Sequence, residues 1–428
     1  MSSSAASYPL SINAPTQTSR PRQWSVLVFF AGLAMGLLYL ASPLFHAASG
    51  FSEEEHVAIH IAHGDGFLSP FDMRPTAAPT SWCPPVYPLL AGAIYRILGV
   101  RTWASALTIM LLNFACRAAA GAALYRLGDR LFNRATGLLA AAIFLVHPIF
   151  LHAALYCWDN SLSLAIFLWL IVWAIELSRP TWQHLGAIGF TAGLLALTNA
   201  AYALSVPVIV WMAVRNSPKR IVLTTIAAAA FGLTLLPWTI RNYVDFHRLF
   251  FVRANFPVEL WLGNQDFSTG YMTLQNLAAH PSSDPANQSQ VLQLGEMAYF
   301  DLCKQRFAQE LTTAPAAFVA RCGNRLAFLW ISQADGCRAA LDCLLAILGS
   351  GGAWMAWKNS KARNVLAAGF LAVAPFLLTQ VHDRYVMPFR AILILLAAAF
   401  LQHVASQVLR PEKHHQQQRR QEHVGRAN

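Results

Sequence analysis

Long apolar stretches recur along this 428-residue chain and constrain its fold more than any other feature. Most run to roughly 18 to 25 residues, the length a helix needs to cross about 30 Å of hydrocarbon at 1.5 Å per residue. Candidate spans cover 24–49, 103–124, 137–156, 162–175, 184–197, 202–214, 221–240, 339–357, 365–381 and 385–403. Only 12% of the residues are charged and 56% are hydrophobic, against roughly 25% charged in a soluble globular protein. The mean hydropathy is +0.42. Lipid, not water, is the expected solvent. The first stretch contains no Asp, Glu, Lys or Arg, follows Arg20 and Arg22, and is too long for a signal-peptide core, which predicts a retained first span.

The expected fold is therefore an all-α polytopic membrane protein with about ten transmembrane helices. Two large outer loops, 50–101 and 241–338, carry interfacial helices. Residues 1–23 read as a cytoplasmic N-terminus, 24–407 as the transmembrane domain with its loops, and 408–428 as a basic cytoplasmic tail. Within the second loop no core of its own is evident, and 314–332 reads as a helix lying on the membrane surface, with Arg321 and Arg325 four apart. No internal repeat of the transporter kind stands out.

Charge orients this arrangement. The net charge of +11 resembles a nucleic-acid signature until it is placed on the topology. With both termini cytoplasmic, the inner segments hold 17 of the 31 Lys and Arg but 4 of the 20 Asp and Glu, as the positive-inside rule requires. Nucleic acid is accordingly not an expected partner; membrane lipids are. The seven cysteines show no C-x-x-C spacing, so a zinc ribbon or thioredoxin-type site is not indicated.

Just outside the first span stands Gly50-Phe51-Ser52-Glu53-Glu54-Glu55-His56. Three adjacent carboxylates repel one another, so one of them is expected to hold its proton more tightly. They serve either as a helix N-terminus stabilised by the helix dipole or as a catalytic base at the membrane surface. His56, His60 and His63 fall at helical spacing and admit a divalent metal. Trp82 and Tyr87 belong to an interfacial aromatic belt or to the wall of a sugar cleft, and Asp159 stands beside Trp158 at a span end.

The order of the motifs resembles a family. After Glu53-Glu54 come Gly64-Asp65-Gly66-Phe67 and Trp82-Cys83-Pro84-Pro85-Val86-Tyr87-Pro88, then Trp158-Asp159 and Pro237-Trp238-Thr239-Ile240-Arg241-Asn242-Tyr243. Glu259-Leu260-Trp261-Leu262-Gly263-Asn264, Leu294-Gly295-Glu296 and Asp383-Arg384-Tyr385-Val386-Met387-Pro388 follow. In that order, on the outer side, they resemble the GT-C polyprenyl-phosphate-sugar-dependent glycosyltransferases. That superfamily includes the protein O-mannosyltransferases and the bacterial lipid A aminoarabinose transferase; the likeness is to its family-39-type branch. The family's usual Asp-Glu pair stands here as Glu53-Glu54, and counting back from Gly64 favours Glu53 while leaving Glu54 or Glu55 open.

The resemblance implies a multi-pass protein of the bacterial inner membrane that moves a sugar from undecaprenyl phosphate, with inversion, to a periplasmic lipid, glycan or protein. Glu53 or Glu54 would be the general base, and Arg241 and Arg384 would hold the leaving phosphate. Asp159, Trp82 and Tyr87 would meet the sugar or acceptor. A phosphate monoester leaves as a stable anion, so no metal or other cofactor is expected. Two other classes fit the topology: a lipid-linked-sugar transporter or flippase, which would place its polar residues at mid-bilayer, and a non-catalytic cell-envelope assembly protein.

Overall fold

The computed structural model describes residues 21–42, 52–331 and 336–408. The expectations for most of 1–23, for Gly50 and Phe51, and for the tail beyond Val408 lie outside those residues. The described chain is helical, without a strand; two isolated bridges join Leu68 to Pro79 and Tyr271 to Val381.

The helices run α1 (Pro21–Leu40), α2 (Glu53–His63), α3 (Val86–Leu98), α4 (Trp103–Leu131), α5 (Arg134–Val146), α6 (Pro148–Ala153), α7 (Asn160–Glu176), α8 (Trp182–Thr198) and α9 (Val206–Val214). There follow α10 (Arg220–Phe246), α11 (Phe256–Gly263), α12 (Leu274–Ala278), α13 (Pro285–Leu294), α14 (Glu296–Thr313), α15 (Pro315–Trp330), α16 (Gly336–Ala356), α17 (Ser360–Val373) and α18 (Met387–Val408). Each expected span contains a helix. Among the described residues, five helical stretches are long and apolar enough to cross a membrane by length and composition: Arg22–Leu40, Trp103–Leu131, Arg220–Phe246, Arg338–Ala356 and Met387–Val408. The other expected spans fall on helices of 9 to 17 residues.

Local chemistry sets the breaks. Expected span 137–156 divides at His147-Pro148, because the residue before proline is pushed into extended backbone and proline cannot donate within the helix. The His147 ring then caps α6, its Nδ1 accepting from Ile149 N at 3.3 Å. Between long helices, small residues allow close approach. A Cβ on Gly189 would collide with the Ala227 carbonyl of α10, and one on Gly352 with the Leu396 carbonyl of α18.

The two outer loops are not separate. Val57 of α2, Phe71 and Trp82 pack with Val258, Leu262, Tyr299 and Phe300 into a small core, so the second loop, expected to lack one, shares its core with the first. Helix α15 forms within the stretch 314–332 expected to be helical. Its arginines point inward: Arg321 donates to the Asn264 carbonyl at 2.7 Å, and fully buried Arg325 donates to Asn264 Oδ1 at 2.8 Å and the Leu378 carbonyl at 3.1 Å. Five-donor guanidinium groups suit a place crowded with unpaired helix-end carbonyls.

Candidate functional site

Helix α2 starts at the carboxylates. Ser52 caps it, its hydroxyl accepting from Glu55 N at 3.3 Å, and the helix's positive end favours acids in that first turn. Successive helical residues are turned by about 100°, so the three neighbours reach different partners. Glu55 accepts from Tyr95 Oη at 2.8 Å and pairs with Arg101 at 3.0 Å. Burial pushes its pKa up, but the Arg101 and Tyr95 hydrogen bonds outweigh that and hold it below the usual range. Glu53 faces His280 of the second loop at 3.6 Å.

Glu54 turns toward a buried polar centre. Its carboxyl lies 3.1 Å from the Ser52 hydroxyl, which is also 2.9 Å from the Cys157 carbonyl. Burial pushes its pKa up to about 7, and the negative charges of Glu53 and Asp159 add to that. Asp159, just ahead of α7, is buried and accepts from Asn199 Nδ2 at 2.9 Å. Burial raises its pKa too, against the opposing pull of the Asn199 and Ser163 hydrogen bonds and of Arg384 and Arg253.

The cation of this centre is Arg384, in the turn before α18. Its guanidinium sits 4.4 Å from the Trp158 ring centroid and 5.0 Å from that of Tyr385, and donates to Tyr385 Oη at 3.1 Å. Tyr156 stacks on Trp158 at 4.0 Å and Phe376 on Tyr385 at 4.5 Å. The guanidinium is thus held between two stacked aromatic pairs. Burial opposes its charge, but Tyr385, Glu54 and Glu53 raise its pKa further. Its Nε is buried and makes no hydrogen bond. Arg253, in the loop after α10, lies near enough to favour ionisation of Asp159 and Cys83.

Comparisons with known proteins bear on this arrangement. Residues 83–240 match the dolichyl-phosphate-mannose-protein mannosyltransferase family. No curated protein gives a significant match. Among solved structures, the archaeal oligosaccharyltransferase AglB from Archaeoglobus fulgidus, in complex with an inhibitory peptide and a dolichol-phosphate, matches with TM-score 0.54 and 14% identity. That match covers 91% of this chain and 51% of AglB. Its apo form matches with TM-score 0.54 and 15% identity, over 93% and 52% of the two chains. The chain has the GT-C fold. It spans about half the length of AglB. ArnT from Cupriavidus metallidurans bound to undecaprenyl phosphate matches with TM-score 0.41 and 13% identity, over 91% of this chain and 79% of ArnT.

Within this fold the expected site residues divide into two groups. Glu54, Asp159 and Arg384 come together, with Glu53 at the margin toward His280. Arg241 does not join them. It pairs with Asp245 at 2.7 Å, donates to the Thr80 carbonyl at 2.8 Å and the Phe67 carbonyl at 3.1 Å, and lies 4.8 Å from the Trp238 ring centroid. These bonds engage it in fastening the first loop to α10.

Trp82 and Tyr87 do not form an open wall either. Trp82 is buried against Phe71 at 4.6 Å and Phe300 at 5.2 Å, and buried Tyr87 donates to Asn113 Oδ1 at 3.1 Å. Both lie in the packing that supports the site. Nearby, Glu296 accepts from Thr80 Oγ1 at 2.5 Å and Ser81 N at 2.7 Å, tying the segment before Trp82 to the second loop. The histidines do the same for the first loop: His56 Nδ1 lies 2.8 Å from the Pro70 carbonyl and His60 Nε2 2.8 Å from the Asp72 carbonyl. Among the described residues no group of three or more His, Cys, Asp or Glu is placed to hold a metal.

Arg253 was not legible as a site residue. It is a lone arginine in a loop, outside every motif, and only folding carries it to Asp159. Tyr156 and Phe376 were equally silent, since stacking partners leave no spacing signal.

Proposed function

We propose that this chain is a membrane glycosyltransferase that takes a sugar from a polyprenyl-phosphate carrier and passes it to an acceptor hydroxyl on the outer side of a bacterial inner membrane. One observation carries the reading: a carboxyl poised near neutrality, Glu54, faces a cation, Arg384, whose buried Nε lacks an acceptor. A phosphate oxygen is the acceptor such a guanidinium suits.

The chemistry follows from those two groups. Glu54, ionised, removes the proton of the acceptor hydroxyl. The hydroxyl oxygen attacks the sugar's anomeric carbon, the bond from that carbon to the phosphate oxygen breaks, and its electron pair leaves with the carrier phosphate. The phosphate gains one negative charge, which Arg384 and Arg253 stabilise. A single displacement inverts the anomeric configuration. Asp159, held by Asn199, lies where it can accept hydrogen bonds from sugar hydroxyls. The base assignment moves from Glu53 to Glu54 because Glu55 is paired with Arg101 and Glu53 looks toward His280. The matched mannosyltransferase family and the dolichol-phosphate in the AglB complex support a carrier-linked donor.

The test is a mass-spectrometric profile of membrane lipids and glycans from cells with the native gene, without it, and with Glu54→Gln. The proposal predicts one glycoconjugate short of a sugar, and its carrier-linked donor accumulated, in both defective strains. Three matching profiles would refute it.

A further inference from the structure

Beneath the turn that carries Arg384 lies a group of charges with no part in the proposed chemistry. Asp342 of α16 is 1% exposed and Arg390 of α18 5% exposed. Arg390 Nη1 faces Asp342 at 3.3 Å and Asp383 at 3.5 Å. Arg338, near the start of α16, pairs with the other oxygen of Asp383. On the far side, His147 Nε2 faces Asp342 at 3.3 Å. His147 Nδ1 accepts from Ile149 N, which holds the ring in place against Asp342. Two carboxylates, two guanidinium groups and an imidazole therefore meet here.

Ionisable groups on membrane helices are costly and call for an explanation. An apolar cluster would join α5, α16 and α18 with less desolvation cost. The placement supplies the explanation. Asp383 is chain neighbour to Arg384, and arginines from two helices grip it from below. Above the grip, the Arg384 carbonyl accepts from Asn160 Nδ2 at 3.4 Å, and the turn closes with Tyr385 N donating to the His382 carbonyl at 2.9 Å. The turn is held on both sides, and what it presents is the guanidinium over Trp158.

We propose that Asp342 and Arg390 are positioning residues for Arg384: through Asp383 they set the height and direction at which the guanidinium meets the donor phosphate. The inference rests on the phosphate role proposed for Arg384. It requires a charge at position 390 rather than a fork, since one nitrogen faces both acids, so Arg390→Lys should substitute for arginine where Arg390→Met does not.

Two measurements on the detergent-solubilised full chain test it separately. Hydrogen exchange of the peptide spanning 378–386 reads the turn itself, and binding of undecaprenyl phosphate reads its consequence. In Arg390→Met and Asp342→Asn the peptide should exchange faster while peptides of α2 are unchanged, and Arg390→Lys should restore the native rate. Affinity should fall roughly tenfold in Arg390→Met, but Arg390→Met added to Arg384→Ala should cost nothing further, because residues acting through one group are not additive. Native exchange of 378–386 in both Arg390→Met and Asp342→Asn overturns the proposal, as do additive affinity losses. If Arg384→Ala itself binds normally, the phosphate reading falls, and the exchange rates still decide whether the network holds the turn. Should the Met variant fail to reach the membrane, Asp342→Asn and Arg390→Lys carry the same comparison.

Discussion

The first turn of α2 holds three glutamates that the sequence could not tell apart. What separates them is a rotation of about 100° per residue and the partners each then meets: His280 for Glu53, Arg101 for Glu55, and the Asp159–Arg384 centre for Glu54. Glu54→Gln removes the base and almost no volume, so transfer should fall by about 100- to 10,000-fold in a radiolabelled-sugar assay, with Glu53→Gln much milder. The reverse order would return the base to Glu53. With a pKa raised to about 7, the base is ionised above neutrality, so the rate should rise through pH 7 on its acid limb and that limb should vanish in Glu54→Gln. Stability runs the other way. A carboxyl whose folded pKa lies above its unfolded value favours the fold while protonated, and that contribution is lost as pH rises through about 7. At pH 8 Glu54→Gln should therefore melt no lower than the native chain; a clear drop in Tm would mean that the charge, not the neutral acid, belongs to the fold.

At the scale of elements, the helices were legible because apolar runs are written locally. A break those runs hid is that at Pro148, which divides the expected span 137–156 into α5 and α6. The loops were not legible, because their order comes from contacts far apart in the chain. Arg241 reads from sequence as a free cation at a span end, yet the Thr80 and Phe67 carbonyls, more than 160 positions away, absorb it. Arg325 reads as a surface residue and is buried among carbonyls. The same long-range logic governs Glu296, whose hydrogen bonds to Thr80 and Ser81 clamp the first loop to α14. Glu296→Gln replaces an acceptor oxygen with a donor facing the Ser81 N–H or the Thr80 hydroxyl, a change of about 1.5–3 kcal/mol for a bond to a charged group. The Tm in detergent should drop, and limited proteolysis should open the segment near Thr80 first. Cutting elsewhere first, with Tm unchanged, would show that the small core of Phe71, Trp82 and Phe300 holds the loops without the clamp.

Across the whole molecule, the Glu54–Arg384 centre and the basic turn at Arg126 and Arg130 lie at opposite ends of α7. Helix α7 begins beside Asp159 and ends at Glu176, 17 residues and about 25 Å away, where Glu176 pairs with Arg126 at 2.5 Å and Arg130 at 2.8 Å. If the positive-inside rule orients the chain, the Glu176 end is cytoplasmic and the Glu54 centre faces outward. Two exposed positions report on this: Trp182, 64% exposed at the start of α8, and Leu274, 84% exposed in the second loop. In spheroplasts, Leu274→Cys should react with a membrane-impermeant maleimide, and Trp182→Cys should react only after permeabilisation, each measured against the native cysteines as background. The opposite pattern would turn the Glu54–Arg384 centre to the cytoplasm. The donor and acceptor would then have to meet on that side, and the basic residues would owe their clustering to something other than membrane insertion. Reaction of both positions in sealed spheroplasts would break the premise that the bilayer separates the turn between α7 and α8 from the second loop.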